Sequence, residues 1–283
     1  MFNKGVRNVE TLMIAEDLTA LGQISLASSL GVIEAQSVRP AMLPTALLST
    51  QSEGFGTPVS LSTEDWIEAA LAQWLDMGEK FAGILVGYVG QPSLINKLSI
   101  IMDHLVLPIT VIDPVMGDRG TLYPGLTKDS VMAMRQLCQK ATIITPNWTE
   151  LCLLTGNDPN LKYTPKLLNS MVERLRKDAI SARVVITGIY NQDTVITAYQ
   201  SNNGQFNFLK ASLIAGHFYG TGDLFSAILT SQLVKNASFE RAIQVAHKGL
   251  QVAITQTAPL KDQERRYGLR LSRLLSYLTS IDK

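Results

Sequence analysis

Short apolar runs alternate with longer amphipathic segments through most of this chain. The apolar runs are bounded by Gly, Pro, Asp or Asn, a pattern typical of strands that are buried on both faces. We therefore predict six buried strands, over residues 11–15, 41–48, 82–89, 109–115, 141–145 and 183–189.

The segments between these runs repeat their apolar residues at helical spacing. They predict helices over residues 22–36, 63–77, 93–105, 128–140, 147–155 and 164–178. The second helix begins with Ser62-Thr-Glu-Asp65, which resembles a capping box, and Gly156 ends the fifth. Because strands and helices alternate, we predict an α/β fold with a parallel sheet covered by helices.

A hairpin signal follows the sixth strand. Asn202-Asn203-Gly204 separates two further strand-like runs, at 194–200 and 205–210, and should add antiparallel strands at one edge of the sheet. No internal repeat, low-complexity tract or linker divides the chain. We therefore predict a single domain over residues 1–283.

Composition narrows the function classes. The net charge is +1, and no basic stripe is available to neutralise a nucleic-acid backbone, so we expect no nucleic-acid partner. No apolar run approaches the roughly 20 residues of a membrane span. Cys138 and Cys152 lie in apolar helical patterns and are interpreted as small buried hydrophobes in a reducing compartment. We expect a cytoplasmic protein without a membrane partner.

The most informative local feature is Gly220-Thr221-Gly222-Asp223 before an apolar helix. The glycines let the backbone turn and approach a ligand, and the start of a helix attracts anions. A carboxylate at such a place has either a capping or a chemical role. The tetrapeptide alone leaves both interpretations of Asp223 open.

Ligands of open parallel sheets gather at the carboxyl ends of the strands. Polar residues are expected there at Glu16, Asp17, Ser49 to Ser52, Tyr88, Asp113, Asp118, Asn147, Glu150 and Thr187. Carboxylates beside an anion site suggest Mg²⁺, which bridges to phosphate oxygens, and this combination indicates phosphoryl transfer. A P-loop enzyme and a dinucleotide-binding dehydrogenase are disfavoured, because their glycine motifs are missing from the sequence.

Five motifs in order extend this interpretation. They are residues 43–56, Gly87-Tyr88-Val-Gly90, Asp113-Pro-Val-Met-Gly-Asp118, Thr145-Pro-Asn-Trp-Thr-Glu150 and Val185-Ile-Thr187-Gly188, all preceding His-Phe-Tyr-Gly-Thr-Gly-Asp223. With these motifs the chain resembles the pyridoxal kinase branch of the ribokinase-like superfamily. The resemblance implies a three-layer α/β/α fold and transfer of the ATP γ-phosphate to the 5′-hydroxymethyl group of pyridoxal, pyridoxamine or pyridoxine.

The resemblance also implies roles for individual residues. Asp223 would be the general base, with Gly220, Thr221 and Gly222 forming the anion hole for the moving phosphoryl group. An ordinary aspartate, with a pKa of about 4, is a weak base toward an alcohol, so it would take the proton late in the transfer. The acceptor would lie against Asp17, Ser52 and Tyr88. The nucleotide would contact Asp113, Asn147, Glu150, Thr187 and Thr221, and Mg²⁺ would be held near Asp113, Asp118 and Glu150.

Each of these residues has a simpler interpretation. Asn147 and Glu150 fit an N-cap and its partner, the two aspartates of the Asp113 motif fit turns, and Asp17, Ser52 and Tyr88 fit a cap, a turn and the core. His217 is expected to pack, and His104 and His247 resemble ordinary helix residues. The resemblance further implies a homodimer and a monovalent cation such as K⁺.

The sequence also departs from the family. Ser52-Glu53 replaces a usual Thr-Gly, Gly188 stands where some relatives have Ser, and Tyr219 replaces a second His. Two alternatives therefore stay open: a hydroxymethylpyrimidine kinase of the same superfamily, and a non-catalytic binding protein. Residues 116–125 have the composition of a lid that excludes water, or of a plain surface loop.

Overall fold

The computed structural model describes residues 9–201 and 203–281. Within this part, the strands are β1 Thr11–Thr19, β2 Arg39–Leu48, β3 Ser60–Ser62, β4 Gly83–Val86, β5 Ile109–Ile112, β6 Gly117–Asp118, β7 Thr121–Leu122, β8 Ile143–Ile144, β9 Arg183–Asn191, β10 Thr194–Gln200 and β11 Phe206–Ser212. The helices are α1 Leu26–Glu34, α2 Glu64–Asp76, α3 Pro92–Asp103, α4 Lys128–Cys138, α5 Trp148–Leu154, α6 Pro165–Lys177, α7 Thr221–Val234, α8 Phe239–Thr257, α9 Asp262–Arg265 and α10 Ser272–Ile281.

Nine strands form one sheet in the order β11-β10-β9-β8-β5-β4-β1-β2-β3. The six strands from β9 to β2 are parallel, while β10, β11 and β3 are antiparallel to their neighbours. The predicted α/β class, the mostly parallel sheet and the antiparallel hairpin at one edge are therefore confirmed. Asn202 of the predicted turn lies outside the described residues.

Two apolar layers cover the sheet. Along β1, Met13 and Ala15 point into one layer, and Leu12 and Ile14 point into the other. The first layer contains buried residues of α2 to α6, and the second contains those of α1, α7, α8 and α10. Burial on both faces explains why β1 is apolar from Leu12 to Ala15, and it gives the predicted three layers.

Some local predictions were wrong. The capping box expected over Ser62-Thr-Glu-Asp65 is not formed, because α2 begins at Glu64 and Thr63 is its N-cap. The Thr63 hydroxyl makes no cap hydrogen bond and donates to the carbonyl oxygen of Pro44. The small strands β3, β6 and β7 and the helices α8 to α10 are additions to the predicted elements. The single-domain organisation stays a prediction.

Cys138 and Cys152 are both buried and free, as expected for small core residues. None of the helices in the described residues is long and apolar enough to cross a bilayer.

Two helical glycines provide a matched test of packing. A Cβ added at Gly249 in α8 would lie 2.9 Å from Cδ1 of Ile228 and 3.0 Å from Cδ1 of Leu274, whereas one at Gly31 in α1 would lie no closer than 3.8 Å to Leu275. Ile228 and Leu274 are fully buried, so they cannot move away cheaply. We expect Gly249→Ala to lower the free energy of unfolding by about 1–2 kcal/mol.

Gly31→Ala is the control, and it should raise the free energy of unfolding by up to about 1 kcal/mol through helix propensity. Urea denaturation of both variants checks this pair. Equal stabilisation by both substitutions would contradict tight packing of α8 against α7 and α10.

Candidate active site

A cavity of about 570 Å³ lies where the parallel strands end. Its lining includes residues that directly follow or end β1, β2, β4, β5, β8 and β9, as expected for an open parallel sheet. Every site residue predicted from the sequence lies on this cavity: Asp17, Ser52, Tyr88, Asp113, Asp118, Asn147, Glu150, Thr187, Gly220, Thr221, Gly222 and Asp223.

The N-terminus of α7 forms one wall of the cavity. Gly220 precedes the helix in the left-handed region, with φ 78°, which a residue with a Cβ adopts at a cost. The amides of Thr221, Gly222 and Asp223 then fall in the first turn, where a helix has no internal acceptors for them. A Cβ at Gly222 would lie 3.2 Å from Oδ2 of Asp113, so glycine leaves room for that carboxylate.

Asp223 is buried and held by α1. Its Oδ2 accepts a hydrogen bond from the backbone N–H of Ser25 at 2.7 Å, and the Ser25 hydroxyl lies at 3.4 Å. Ser25 has φ 49° and ψ −128°, a conformation that is strained for a residue with a side chain. Burial, and next the charge of Asp17, raise the pKa of Asp223 to about 6. Asp223 is thus a stronger base than an ordinary aspartate.

Asp113 lies beside this group at the end of β5. Its Oδ2 accepts a hydrogen bond from the Ser226 hydroxyl at 2.9 Å, and Ser226 also lies 2.9 Å from the Thr145 hydroxyl. Burial, together with the nearby charge of Asp223, raises the pKa of Asp113 to about 7. Ser226 follows Asp223 by three residues, so both side chains leave the same face of α7.

Asn147 and Glu150 form the capping box of α5. Asn147 Oδ1 accepts from the Glu150 amide at 2.9 Å, and Glu150 Oε2 accepts from the Asn147 amide at 2.8 Å. Glu150 Oε1 also accepts from the Met116 amide at 3.1 Å. Burial and the charge of Asp113 raise the pKa of Glu150 well above its usual range. The simpler, capping interpretation of this pair is therefore confirmed, and it leaves the carboxylate at the cavity wall.

Nowhere in residues 9–201 and 203–281 do three or more His, Cys, Asp or Glu side chains form a group arranged to hold a metal ion. Mg²⁺ often keeps several waters and takes only one or two protein carboxylates. Asp113 and Glu150 offer such oxygens on the cavity wall, because each Glu150 oxygen accepts one N–H and retains a second lone pair. The donor set fits Mg²⁺ bound mainly through phosphate and water.

The residues predicted to contact the acceptor line the same cavity. Asp17 Oδ2 accepts from the Thr19 hydroxyl at 2.8 Å, and burial raises the pKa of Asp17. The Tyr88 carbonyl accepts from the Thr45 hydroxyl at 2.7 Å, and a Cβ at Gly90 would lie 3.0 Å from the Tyr88 hydroxyl oxygen. The backbone of Tyr88 is therefore tied to β2, and Gly90 leaves room for its ring.

Glu53 also lines the cavity. Its Oε2 lies 3.9 Å from Nε2 of His217, and the His217 ring packs edge-on against Tyr219 at 4.1 Å between centroids. Burial lowers the pKa of His217, and the nearby Arg119 lowers it further. His217 therefore packs as expected, and its lowered pKa favours the neutral ring, so Arg119 is the cation that favours the charged form of Glu53.

Several lining residues were missed by sequence reasoning. The far end of the cavity is lined by Val195, Thr197, residues 210–214, His247, Leu250 and Gln251. His247 was expected to be an ordinary helix residue, but its Nδ1 lies 3.2 Å from the Thr197 hydroxyl and its Nε2 lies 2.7 Å from Gln251 Nε2. No local motif marks these residues, because β10, β11 and α8 meet only in the folded chain. His104 is exposed at the end of α3, as expected.

Residues 116–125 form the small β6–β7 hairpin at the cavity edge. The Asn147 side-chain amide donates to the Gly117 carbonyl at 2.8 Å, which ties the hairpin to α5. Arg119 lies over the Tyr190 ring at 5.8 Å, and Asp118 lines the cavity. The lid motion of this segment stays a prediction.

Gly188 faces Asn147, and a Cβ at Gly188 would lie 3.6 Å from Asn147 Cβ. Gly188 has φ 61°, a backbone conformation that favours glycine over serine.

Comparisons with known proteins agree with this architecture. The phosphomethylpyrimidine kinase family model matches residues 27–267. A pyridoxine/pyridoxal/pyridoxamine kinase from Bordetella avium is 30% identical over 250 residues, covering 80% of this chain and 78% of that protein. The crystal structure of pyridoxal kinase from Lactobacillus plantarum has a TM-score of 0.89 at 34% identity, covering 96% of this chain and 98% of the other. A Bacteroides thetaiotaomicron structure that contains pyridoxal has a TM-score of 0.87 at 27% identity, with 95% and 96% coverage.

The fold is that of a small-molecule kinase of the ribokinase-like superfamily. Within that superfamily, the chain belongs to the pyridoxal kinase family.

The raised pKa of Asp223 predicts a specific dependence of stability on pH. The folded state binds this proton more tightly than the unfolded state, so stability is lost as the pH rises from about 4 through about 6. Asp223→Asn keeps an acceptor for Ser25 and removes the charge. We expect it to raise the free energy of unfolding at pH 8 by about 1–3 kcal/mol, and the gain should vanish near pH 4.

Denaturant unfolding at both pH values measures this effect. Asp193→Asn, at an exposed turn position, is the control and should change stability by less than about 0.5 kcal/mol at either pH. Loss of stability at pH 8 in Asp223→Asn would show that the buried charge is fully compensated.

Proposed function

We propose that this protein is an ATP-dependent kinase that phosphorylates the 5′-hydroxymethyl group of pyridoxal, pyridoxamine or pyridoxine. The observation that carries the proposal is the joint placement of Asp223 and the N-terminus of α7 on one wall of the cavity. A base and an anion site at the same place are what transfer of a phosphoryl group to an alcohol requires. The relatives named above support the choice of acceptor.

Asp223 would accept the proton of the acceptor hydroxyl. Its pKa of about 6 keeps it mostly ionised at pH 7 and closer to the operating pH than an ordinary aspartate, which favours general-base catalysis. The Ser25 amide would hold one carboxylate oxygen, leaving the other for the substrate. The amides of Thr221, Gly222 and Asp223 would stabilise the charge on the transferred phosphoryl group.

The nucleotide would lie along the far end of the cavity, with its phosphates at α7. Asp113, Asn147, Glu150 and Thr187 are proposed to surround the phosphates, and Asp113, Asp118 and Glu150 are proposed to hold Mg²⁺ directly or through water. When bound, Mg²⁺ would supply positive charge that offsets the phosphate charge. The buried carboxylates of this wall would then ionise more readily, because a cation favours their charged form. A K⁺ contact at Thr187 is part of the same proposal.

Asp17, Ser52 and Tyr88 are proposed to bind the pyridine ring of the acceptor. Tyr88 offers an apolar ring face, and Asp17 and Ser52 offer hydrogen bonds to ring substituents. The matching family model is named for phosphomethylpyrimidine kinase, which favours hydroxymethylpyrimidine as the second candidate acceptor. Glu53 also lines the cavity, and its carboxylate is proposed to affect the choice between acceptors. The placement of every predicted site residue on one cavity argues against a non-catalytic binding protein.

We also propose that the kinase is a homodimer. Edge strand β3 and its surroundings expose apolar side chains, with Val59 79% and Leu61 61% accessible, and Trp66 in α2 is half exposed. Such a patch at a sheet edge is typical of an interface between protein chains.

An ADP-release assay with four acceptors tests the proposed function. We expect turnover with at least one of pyridoxal, pyridoxamine and pyridoxine, and lower kcat/KM with hydroxymethylpyrimidine. Phosphate on the 5′-oxygen of the product, identified by mass spectrometry and ³¹P NMR, would exclude simple ATP hydrolysis. Turnover with hydroxymethylpyrimidine alone would favour the second candidate, and no turnover with any acceptor would reject both.

The role of Asp223 is tested by its removal. Asp223→Ala should lower kcat at least about a hundredfold while changing the Kd of ATP less than about threefold, because the base acts mainly in the transition state. Equilibrium binding of a fluorescent ATP analogue provides the second measurement, and Asp193→Asn serves again as the control. A fall in kcat of less than about tenfold would mean that Asp223 is not the base.

A further inference from the structure

Three of the loops that line the candidate active site are contacted by one short segment. The loops are residues 22–25, which carry Ser25, residues 51–55, which carry Ser52 and Glu53, and residues 215–220, which lead into α7. The segment comprises α9 and the three residues after it, and we call residues 262–268 the strap. We propose that the strap is the positioning element of this active site, with Arg266 fixing the acceptor loop and Arg265 fixing the phosphate loop.

Arg266 holds the acceptor loop, residues 51–55, through three contacts. Its Nη1 donates to the Gly54 carbonyl at 2.9 Å, and its guanidinium lies 4.3 Å from the centroid of the Phe55 ring. Its backbone carbonyl accepts a hydrogen bond from the Gln51 side-chain amide. The Phe55 ring also packs edge-on against Tyr267 of the strap, at 5.1 Å between centroids. Backbone, cation and ring contacts therefore fix this loop from one side.

Arg265 holds the phosphate loop, residues 215–220, in the same way. Its Nη1 donates to the Ala215 carbonyl at 3.2 Å, and its guanidinium lies 4.9 Å from the Phe218 ring centroid. Gly216 has φ 121°, which favours glycine, and a Cβ there would lie only 2.2 Å from Arg265 Nη1, so a side chain at this position would displace the guanidinium. The other end of the guanidinium pairs with Asp262 within the strap.

The third loop contacts the backbone of the strap. The Gln23 amide donates to the Tyr267 carbonyl at 2.7 Å, and Gln23 forms a parallel bridge with Gly268. A Cβ at Gly268 would lie 2.1 Å from the Gln23 carbonyl oxygen, so the two backbones approach as closely as they can. This contact lies two residues before Ser25, whose amide holds Asp223.

The strap is itself fixed to the core. Leu269, directly after it, is 1% exposed, and the Arg270 amide donates to the Thr257 hydroxyl at the end of α8. Arg265 Nε and Arg266 Nε are buried without a hydrogen-bond partner among the described residues, an arrangement that costs stability. These two adjacent arginines keep an unpaired buried nitrogen each and contact different loops. This arrangement fits a role in positioning those loops better than a role in stability alone.

How well each loop is held in place can be measured without any knowledge of the substrate. Arg266→Met keeps the length of the side chain and removes the charged donor. We expect hydrogen–deuterium exchange at residues 51–56 to become about tenfold faster in this variant, with exchange at 215–220 unchanged. Arg265→Met should accelerate exchange at residues 215–220 and leave exchange at residues 51–56 unchanged. The control, Arg270→Met, changes an exposed side chain just beyond the strap and should alter neither loop.

A second readout rests on the proposed function. Arg266→Met should raise the KM of the acceptor about tenfold and leave the KM of ATP within about twofold, and Arg265→Met should instead lower kcat or raise the KM of ATP. Equal acceleration of exchange in both loops by either variant, or no change in either loop, would overturn the proposal. If the wild-type protein phosphorylates none of the acceptors, the proposed function fails, while the exchange experiment still decides the role of the strap.

Discussion

Burial of acidic side chains at one end of the sheet is the constraint on which the rest of the site depends. Asp17, Asp113, Glu150 and Asp223 are all nearly inaccessible to solvent, and Glu16 is 1% exposed directly before Asp17. A buried carboxylate is tolerated only where hydrogen-bond donors or protonation offset the loss of water. Each of these acids accordingly has a donor aimed at it, from a serine or threonine hydroxyl or from a backbone amide.

This constraint explains features that otherwise have no common cause. The serines of α1 and α7 lie where an amphipathic helix would place apolar residues, because Ser29 donates to Glu16 and Ser226 donates to Asp113. Glycine is required at Gly87, where a Cβ would lie 2.8 Å from Cγ of Glu16. The unusual backbone of Ser25 turns its amide toward Asp223. Donors reduce the penalty but do not remove it, so the pKa values of these acids remain raised. The site is consequently ready for cations and protons before any substrate arrives.

Much of this arrangement could be predicted from the sequence. Buried parallel strands are apolar along their whole length, and polar residues directly after them must gather at one edge of the sheet. That reasoning brought Asp17, Asp113 and Glu150 together without any contact being known. It could not find Ser25, because its contribution is a backbone amide in a strained conformation that its side chain does not signal. The capping box predicted for Ser62-Thr-Glu-Asp65 is wrong because α2 begins at Glu64 with Thr63 as its N-cap, and the Thr63 hydroxyl donates to the Pro44 carbonyl. Residues 210–214 and His247 are close only through the packing of β11 and α8.

The position of the strap in the chain has a consequence for synthesis. The parallel strands pair mostly with partners already made when they leave the ribosome, so the centre of the sheet can assemble early. The loops at residues 22–25, 51–55 and 215–220 emerge before the segment that fixes them. The strap is therefore synthesised after all three loops, so the loops can form their contacts with it only once nearly all of the parallel sheet has been made.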